Sequence, residues 1–245
     1  MSFSTLVYEN DNGVARITLN RPEVLNASNI RMRDELYEVL SAVRADDETW
    51  MLLLRGAGRG FCAGADLTEF GTAPSPTAAR HIRFARDVWA LLRGLPVPKV
   101  AVLHGFVFGS GLEMALFCDL RIAAEGTLLG LPEVQLGLIP AAGGTQTLPR
   151  VCGIGPALDL LLTGRRIEAT EALRLGLVSQ VVPADRLEAA TRELVSTLGQ
   201  WDQSVVQAIL RAVHEGQDLP MEQALRLESR LAASVRRPAP AQIQS

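Results

Sequence analysis

A chain of 245 residues can bury a sizeable core without disulfides or a structural metal, and this length sits within the range of a single α/β domain. With 48% hydrophobic and 21% charged residues, the composition is that of an ordinary globular protein and excludes a disordered or fibrous chain. The formal net charge of −3 argues against a nucleic-acid-binding surface, so an anionic ligand has to be met by local basic groups and backbone N–H donors.

Cys62, Cys118 and Cys152 are odd in number, far apart and without a CxxC pair, which reads as three small apolar residues in a reducing compartment. The opening MSFSTLVYENDNG has no basic stretch followed by an apolar one. No apolar run approaches the roughly 20 residues that span a bilayer. No secretory signal, no membrane association and a cytoplasmic location are therefore expected.

In chain order, Leu6–Glu9 and Val14–Leu19 read as two strands hinged by Asn10-Asp11-Asn12-Gly13, and Asn20-Arg21-Pro22 breaks the second. Ser28 can cap a helix whose Met32, Leu36, Val39, Leu40 and Val43 follow a helical period. Trp50–Leu54 is a short apolar run of the kind that makes a buried strand, and it enters the glycine-rich stretch Gly56–Gly64. A turn around Pro74-Ser75-Pro76 precedes a helix over Thr77–Leu92. Lys99–Leu103 is another buried strand, followed by a short helix over Ser110–Phe117 and strands near Leu120–Ala123 and Thr127–Leu129. Pro132–Gly144 reads as loop. From Thr145 the chain is helical except for a last strand at Val178–Val182. Alternation early and helices late give an α/β core with a helical C-terminal layer.

Several glycine motifs fail on inspection. Gly56-Ala57-Gly58-Arg59-Gly60 follows a strand, but a dinucleotide fingerprint needs glycine where Phe61 stands. Ser110 lies between Gly109 and Gly111, yet Phe108 and Leu112 occupy the outer glycine positions of a nucleophile elbow. His81, His104 and His214 show no spacing that ties them to it, and no clustered ligand set exists, so no metal is expected.

Three segments remain: Phe61-Cys62-Ala63-Gly64-Ala65-Asp66-Leu67, Gly109-Ser110-Gly111-Leu112-Glu113, and Leu131-Pro132-Glu133 leading into Gly137-Leu138-Ile139-Pro140 and Ala142-Gly143-Gly144-Thr145. Small residues opening a helix leave its first N–H groups accessible to an anion, and a second free N–H from the turn at Ala63-Gly64 would complete an oxyanion hole. Glu113 sits in an otherwise apolar helix, where a charge is costly. It can equally be a first-turn acid that stabilises its own helix, and Glu133 can be an exposed turn residue. Spacing alone does not pair them.

Taken together, these segments resemble the crotonase (enoyl-CoA hydratase/isomerase) family in order and separation. So do Arg21-Pro22-Glu23-Val24-Leu25-Asn26-Ala27, the run Gly143-Gly144-Thr145-Gln146 with Leu148 and Arg150, Leu162-Thr163-Gly164, and Ala172 to Val178. The resemblance covers roughly residues 5–215 and implies the crotonase (ClpP-like) fold. Residues 1–195 would be a spiral of ββα units and 196–237 a helical region for trimerisation or for closing the site, while the composition of the tail PAPAQIQS, 238–245, reads as disordered.

By position, the resemblance gives the oxyanion hole to the N–H groups of Ala63 and Ser110. It gives the coenzyme A groove to Val24, Gly109 and the run Ala63, Gly64, Ala65, Asp66 and Leu67. Glu113 and Glu133 match the two positions that carry the acid and base of hydratases, with Glu113 on the water and Glu133 on the C2 proton. The implied reaction is hydration of the C2=C3 bond of an enoyl-CoA thioester, or its reverse. Isomerisation is the alternative on the same scaffold, and a non-catalytic acyl-CoA-binding subunit the alternative of another class. No separate cofactor is expected, coenzyme A being part of the substrate, and copies are expected to assemble as trimers or hexamers. The acyl tail is assigned to the Phe70–Ala90 region. Two departures stand out. Ser110 replaces the usual glycine, and the C-terminus, with its amphipathic helix Met221–Ala233 and Arg236-Arg237-Pro238, lacks the family's usual Phe-, Lys- and Arg-rich closing helix.

Overall fold

The computed structural model describes residues 3–72, 75, 77 and 86–235. Its strands are β1 (Leu6–Asp11), β2 (Val14–Leu19), β3 (Met51–Gly56), β4 (Lys99–Leu103), β5 (Phe106–Phe108), β6 (Leu120–Ala124), β7 (Leu128–Gly130), β8 (Ile167–Glu168) and β9 (Gln180–Val182). Its helices are α1 (Ile30–Ala45), α2 (Val88–Arg93), α3 (Ser110–Leu116), α4 (Gly144–Cys152), α5 (Ile154–Thr163), α6 (Ala169–Arg174), α7 (Leu187–Gly199), α8 (Gln203–Gly216) and α9 (Met221–Ser234).

β1 and β2 pair antiparallel across a turn in which Asn12 and Gly13 both take positive φ, 52° and 78°. A two-residue hairpin turn demands that pair of left-handed residues, and Asn-Gly adopts it at least cost. Every other neighbour in the six-stranded sheet, ordered β1-β2-β3-β4-β6-β9, runs parallel. Such a sheet has to be covered on both faces. Leu36 and Leu40 of α1, Leu92 of α2 and Leu112 of α3 pack with Ile17, Leu54 and Ala101 on one face. On the other, Leu187, Ala190 and Leu194 of α7 cover Val14, Met51, Leu53 and Val100. Each fully buried aliphatic side chain of these layers contributes roughly 1.5–3 kcal/mol.

Asn29, not Ser28, caps α1, accepting the Met32 N–H at 2.8 Å. Ser28 is instead drawn into a bridge, its N–H donating to the Gly64 carbonyl at 2.8 Å. On the buried side of α1, Glu35 accepts from the backbone N–H and the hydroxyl of both Ser4 and Thr5, and from Arg31.

A second sheet, β5-β7-β8, positions the site. β5 and β7 run parallel in the register Phe106↔Leu128, Val107↔Leu129, Phe108↔Gly130. The segments leaving them, Gly109 into α3 and Leu131 into a 3-10 turn at Pro132–Leu136, therefore emerge side by side. The Gly109 N–H seals the pair by donating to the Gly130 carbonyl at 3.0 Å.

α8 and α9 pack on each other as a C-terminal hairpin. His214 of α8 holds this hairpin to the core, its Nε2 lying 2.9 Å from Asp119 Oδ1. Asp119 Oδ2 in turn accepts the Lys99 N–H at 2.7 Å and lies 3.0 Å from the wholly buried Lys99 Nζ. Among the described residues, no helix is long and apolar enough to cross a membrane.

β5 and β8 were not expected from the sequence. Three- and two-residue strands are too short to show a period of their own, and their pairing is decided by tertiary contacts. Within Pro132–Gly144, read as loop, five residues form the 3-10 turn. Of the helix expected over Thr77–Leu92, Thr77 and Val88–Leu92 are helical among the described residues, whereas Arg86 is a turn and Asp87 caps the helix that starts at Val88. Much of the segment assigned to the acyl tail, and all of 238–245, lies outside the described residues.

Candidate active site

Glu113 is 2% exposed and lies one turn into α3. A carboxylate at that depth needs strong partners. Its Oε1 accepts the N–H groups of Ala142 and Gly144, both at 2.8 Å. These donors lie at the start of α4, where N–H groups have no intrahelical partner and the helix dipole is positive. Gly143 between them has φ +114° and ψ −8°, a left-handed conformation that aims both flanking N–H groups at Glu113. Gly144 also leaves room for the acid, since a Cβ there would lie 3.0 Å from Glu113 Oε1.

Glu133 is the opposite case. It stands in the 3-10 turn after β7, with its Oε2 buried and lacking a hydrogen-bond partner among the described residues. Burial, and after it the negative charge of Glu113, push its carboxyl up to about 7, outweighing the contribution of its own backbone N–H. Its Oε1 lies over Gly109, where a Cβ would approach to 3.0 Å. With φ +50° and ψ −126°, Gly109 has a backbone that only glycine adopts readily.

The turn at Ala63–Leu67 runs between Ser28 and β5. Cys62 exchanges hydrogen bonds with Phe106 and Phe108 on the β5 side, while the Ala63 N–H faces the other way and donates to the Leu25 carbonyl at 3.0 Å. That bond removes Ala63 from the role of oxyanion donor expected from the sequence. Gly64, with φ +111°, then reverses the alternation. The Gly64 carbonyl and the Asp66 N–H both bond Ser28, so the Ala65 N–H between them faces the β5 and α3 side, and it makes no hydrogen bond among the described residues. On that same side the N–H groups of Ser110, Gly111 and Leu112 precede the first bond of α3, which Glu113 donates to Gly109 at 2.9 Å.

The remaining predicted residues lie around this turn. Asp66 accepts from Arg21 at 2.9 Å and from Thr68, and these bonds hold its carboxyl below the usual range. It therefore braces the turn, and Arg21, which also donates to the Ala27 carbonyl, is a structural residue that the sequence reading left without a role. Val24 and Leu67 are 41% and 57% exposed, as residues on a rim would be. The Ala142–Gly144 cradle was also missed. Its signal in the sequence was the run of small residues Ala141-Ala142-Gly143-Gly144.

Beside the cradle lies a groove of about 230 Å³, between α2 and the Ala141–Gly143 turn. Another hollow, of about 780 Å³ along the outer face of α9 from Leu219 to Arg230, shares no residue with the two glutamates. It is an open surface trough remote from the site.

Paired short strands thus deliver a buried glutamate, Glu113, and a half-buried one, Glu133, from neighbouring segments. The enoyl-CoA hydratase/isomerase family profile matches residues 9–242, and the chain belongs to that family and has the crotonase fold. It is 36% identical over 231 residues to a probable enoyl-CoA hydratase of Mycobacterium tuberculosis, covering 94% of this chain and 89% of the relative. The crystal structure of an enoyl-CoA hydratase from Bacillus anthracis superposes with a TM-score of 0.89 at 35% identity, covering 95% of this chain and 91% of the other. A putative enoyl-CoA hydratase from Thermobifida fusca, solved in complex with CoA, superposes with a TM-score of 0.88 at 30% identity over 94% and 92% of the two chains.

Proposed function

We propose that this chain hydrates the C2=C3 double bond of an enoyl-CoA thioester, and catalyses the reverse dehydration, with Glu113 as base and Glu133 as acid. The observation that carries this reading is the unequal treatment of the two carboxyls. Glu113 is buried against two N–H donors, whereas Glu133 is half-buried with its Oε2 unpartnered among the described residues, so that it holds its proton near neutral pH. A carboxyl that keeps its proton beside one held by N–H donors offers the acid and the base that adding H–OH across a double bond requires.

The thioester carbonyl accepts from the N–H groups of Ser110 and Ala65, which draws electron density from C3 and stabilises the enolate formed on attack. Glu113 takes a proton from water as its oxygen bonds C3. Glu133 delivers its proton to C2 as the enolate collapses. The net change is one water added, with the proton count of the two acids conserved and one proton moved from Glu133 to Glu113. Return of that proton resets the pair. Each N–H donor of the oxyanion hole is worth roughly 3 kcal/mol in the transition state. Val24 and Leu67 border the path of the pantetheine arm. The names of the relatives support the hydratase over the isomerase reading, and the CoA-bound relative supports a CoA thioester as substrate.

The test is the loss of conjugated thioester absorbance when purified protein is given crotonyl-CoA or a longer 2-enoyl-CoA. Glu113→Gln and Glu133→Gln should each lower kcat by about 10²–10⁴-fold with binding of the ester retained. Near-normal turnover in both variants would sink the assignment. Conversion of a 3-enoyl-CoA without hydration would move it to isomerisation.

A further inference from the structure

The cradle that holds Glu113 has a second side. Phe117 caps the C-terminus of α3 with helical φ and ψ of −81° and −11°, four residues after Glu113, so the two side chains leave the same face of the helix. Both meet the Ala141–Gly144 turn. Glu113 does so through the Ala142 and Gly144 N–H groups, and Phe117 through the tip of its ring. A Cβ on Gly143 would lie 2.6 Å from Phe117 Cζ and 3.0 Å from Cε2. Behind the ring stands Trp89 of α2, stacked with its centroid 6.2 Å away and the planes 27° apart. The Gly143 carbonyl points into α4, accepting the Gln146 and Thr147 N–H groups at 2.9 and 2.8 Å. The turn is thus gripped on one side by a carboxylate and on the other by an aromatic ring, with a glycine between.

We infer that Phe117, backed by Trp89, is a positioning residue for the reaction: its ring fixes the Ala142–Gly144 turn, and the turn fixes the carboxylate of Glu113. The inference rests on the reading of Glu113 as the base. Among the described residues, the three heavy atoms nearest to a Cβ on Gly143 all belong to the Phe117 ring. A loosened turn lets the two donors swing away and the Glu113 carboxylate drift. In a site built for near-attack geometry, a displacement on the order of 1 Å costs about 10²-fold in rate.

The experiment compares wild-type protein with Phe117→Leu and Phe117→Ala in two readouts. The first is kcat and KM for a 2-enoyl-CoA ester. The second is hydrogen–deuterium exchange of the peptide spanning residues 141–147 in the free protein. In Phe117→Ala, kcat is expected to fall about 10²-fold with KM within roughly twofold, and the peptide to exchange faster. Phe117→Leu, which retains bulk but not the ring, should lie between and remains informative if the alanine variant does not fold. A residue that only filled space would lower the melting temperature and leave the kcat of folded enzyme unchanged, and that result would overturn the inference. So would unaltered exchange in both variants, whatever the turnover. A wild-type protein that hydrates no enoyl-CoA would sink the proposed reaction instead, and faster exchange in the variants would still show the ring's hold on the turn.

Discussion

Two glutamates in this molecule, one buried and one half-buried, have been taken in opposite directions. Glu35, under the N-terminal segment, accepts five hydrogen bonds from Ser4, Thr5 and Arg31. Burial raises its carboxyl, but those bonds, led by the Thr5 hydroxyl, more than reverse the effect and hold it at about 2. Glu133 is half-buried without such donors, and withdrawal from water pushes it to about 7. Burial alone therefore does not say whether a carboxyl is a structural anion or a proton store. The donors around it decide, and the contrast separates the region that anchors the chain from the region proposed to do chemistry.

The sharpest break of that contrast is in the rate. If Glu133 must carry a proton, kcat for hydration should fall by about tenfold per pH unit above an apparent value near 7, which belongs to the interacting pair. A rate still rising at pH 9 would remove Glu133 as the acid. A smaller effect is expected in stability. Glu35→Gln removes an anion from five donors and should cost about 1–3 kcal/mol at pH 7, read by urea unfolding, with little change in KM. Its folded value near 2 lies below the ordinary 4.5, so the contribution of Glu35 is complete above about pH 4.5 and is lost as pH falls toward 2. The gap between wild type and variant should close over that window. The smallest effect has the opposite sign. The raised value of Glu133 makes its ionisation unfavourable in the fold, so the associated stability is present below pH 4.5 and is lost as pH rises through about 7. Glu133→Gln should therefore melt at a higher temperature than wild type at pH 8 and near the wild-type temperature at pH 4.

Much of the fold was legible because it rests on strong local signals. Asn10-Asp11-Asn12-Gly13 marked the first turn, although Asn10 and Asp11 extend β1 and only Asn12-Gly13 turn, Val14–Leu19 read as a strand, and the period of Met32, Leu36, Val39, Leu40 and Val43 marked α1. What escaped was set by contacts distant in sequence. Phe106–Phe108 becomes a strand because Leu128–Gly130 lies beside it, and the cap of α1 falls to Asn29 while the Ser28 backbone pairs with the Gly64 turn. The candidate acids were legible through the family's motifs, and the cradle around Glu113 was not, because backbone N–H groups carry no side-chain signature. The same limit explains Ala63. Position along the turn suggested its N–H, but the reversal at Gly64 turns that group toward Leu25 and leaves Ala65 facing the site.

The pairing of β5 with β7 has a consequence for how such a site can change over evolutionary time. Each strand is three residues long, and each delivers its glutamate within a few residues of the last paired position. Substitutions along these segments alter chemistry one group at a time. A single inserted or deleted residue between Phe108 and Glu113 would swing the acid by roughly 100° around α3, away from its cradle. Spacing here is thus a stricter inheritance than residue type. New reactions on this scaffold are reached by exchanging side chains at fixed addresses, while the addresses themselves cannot be moved one step at a time.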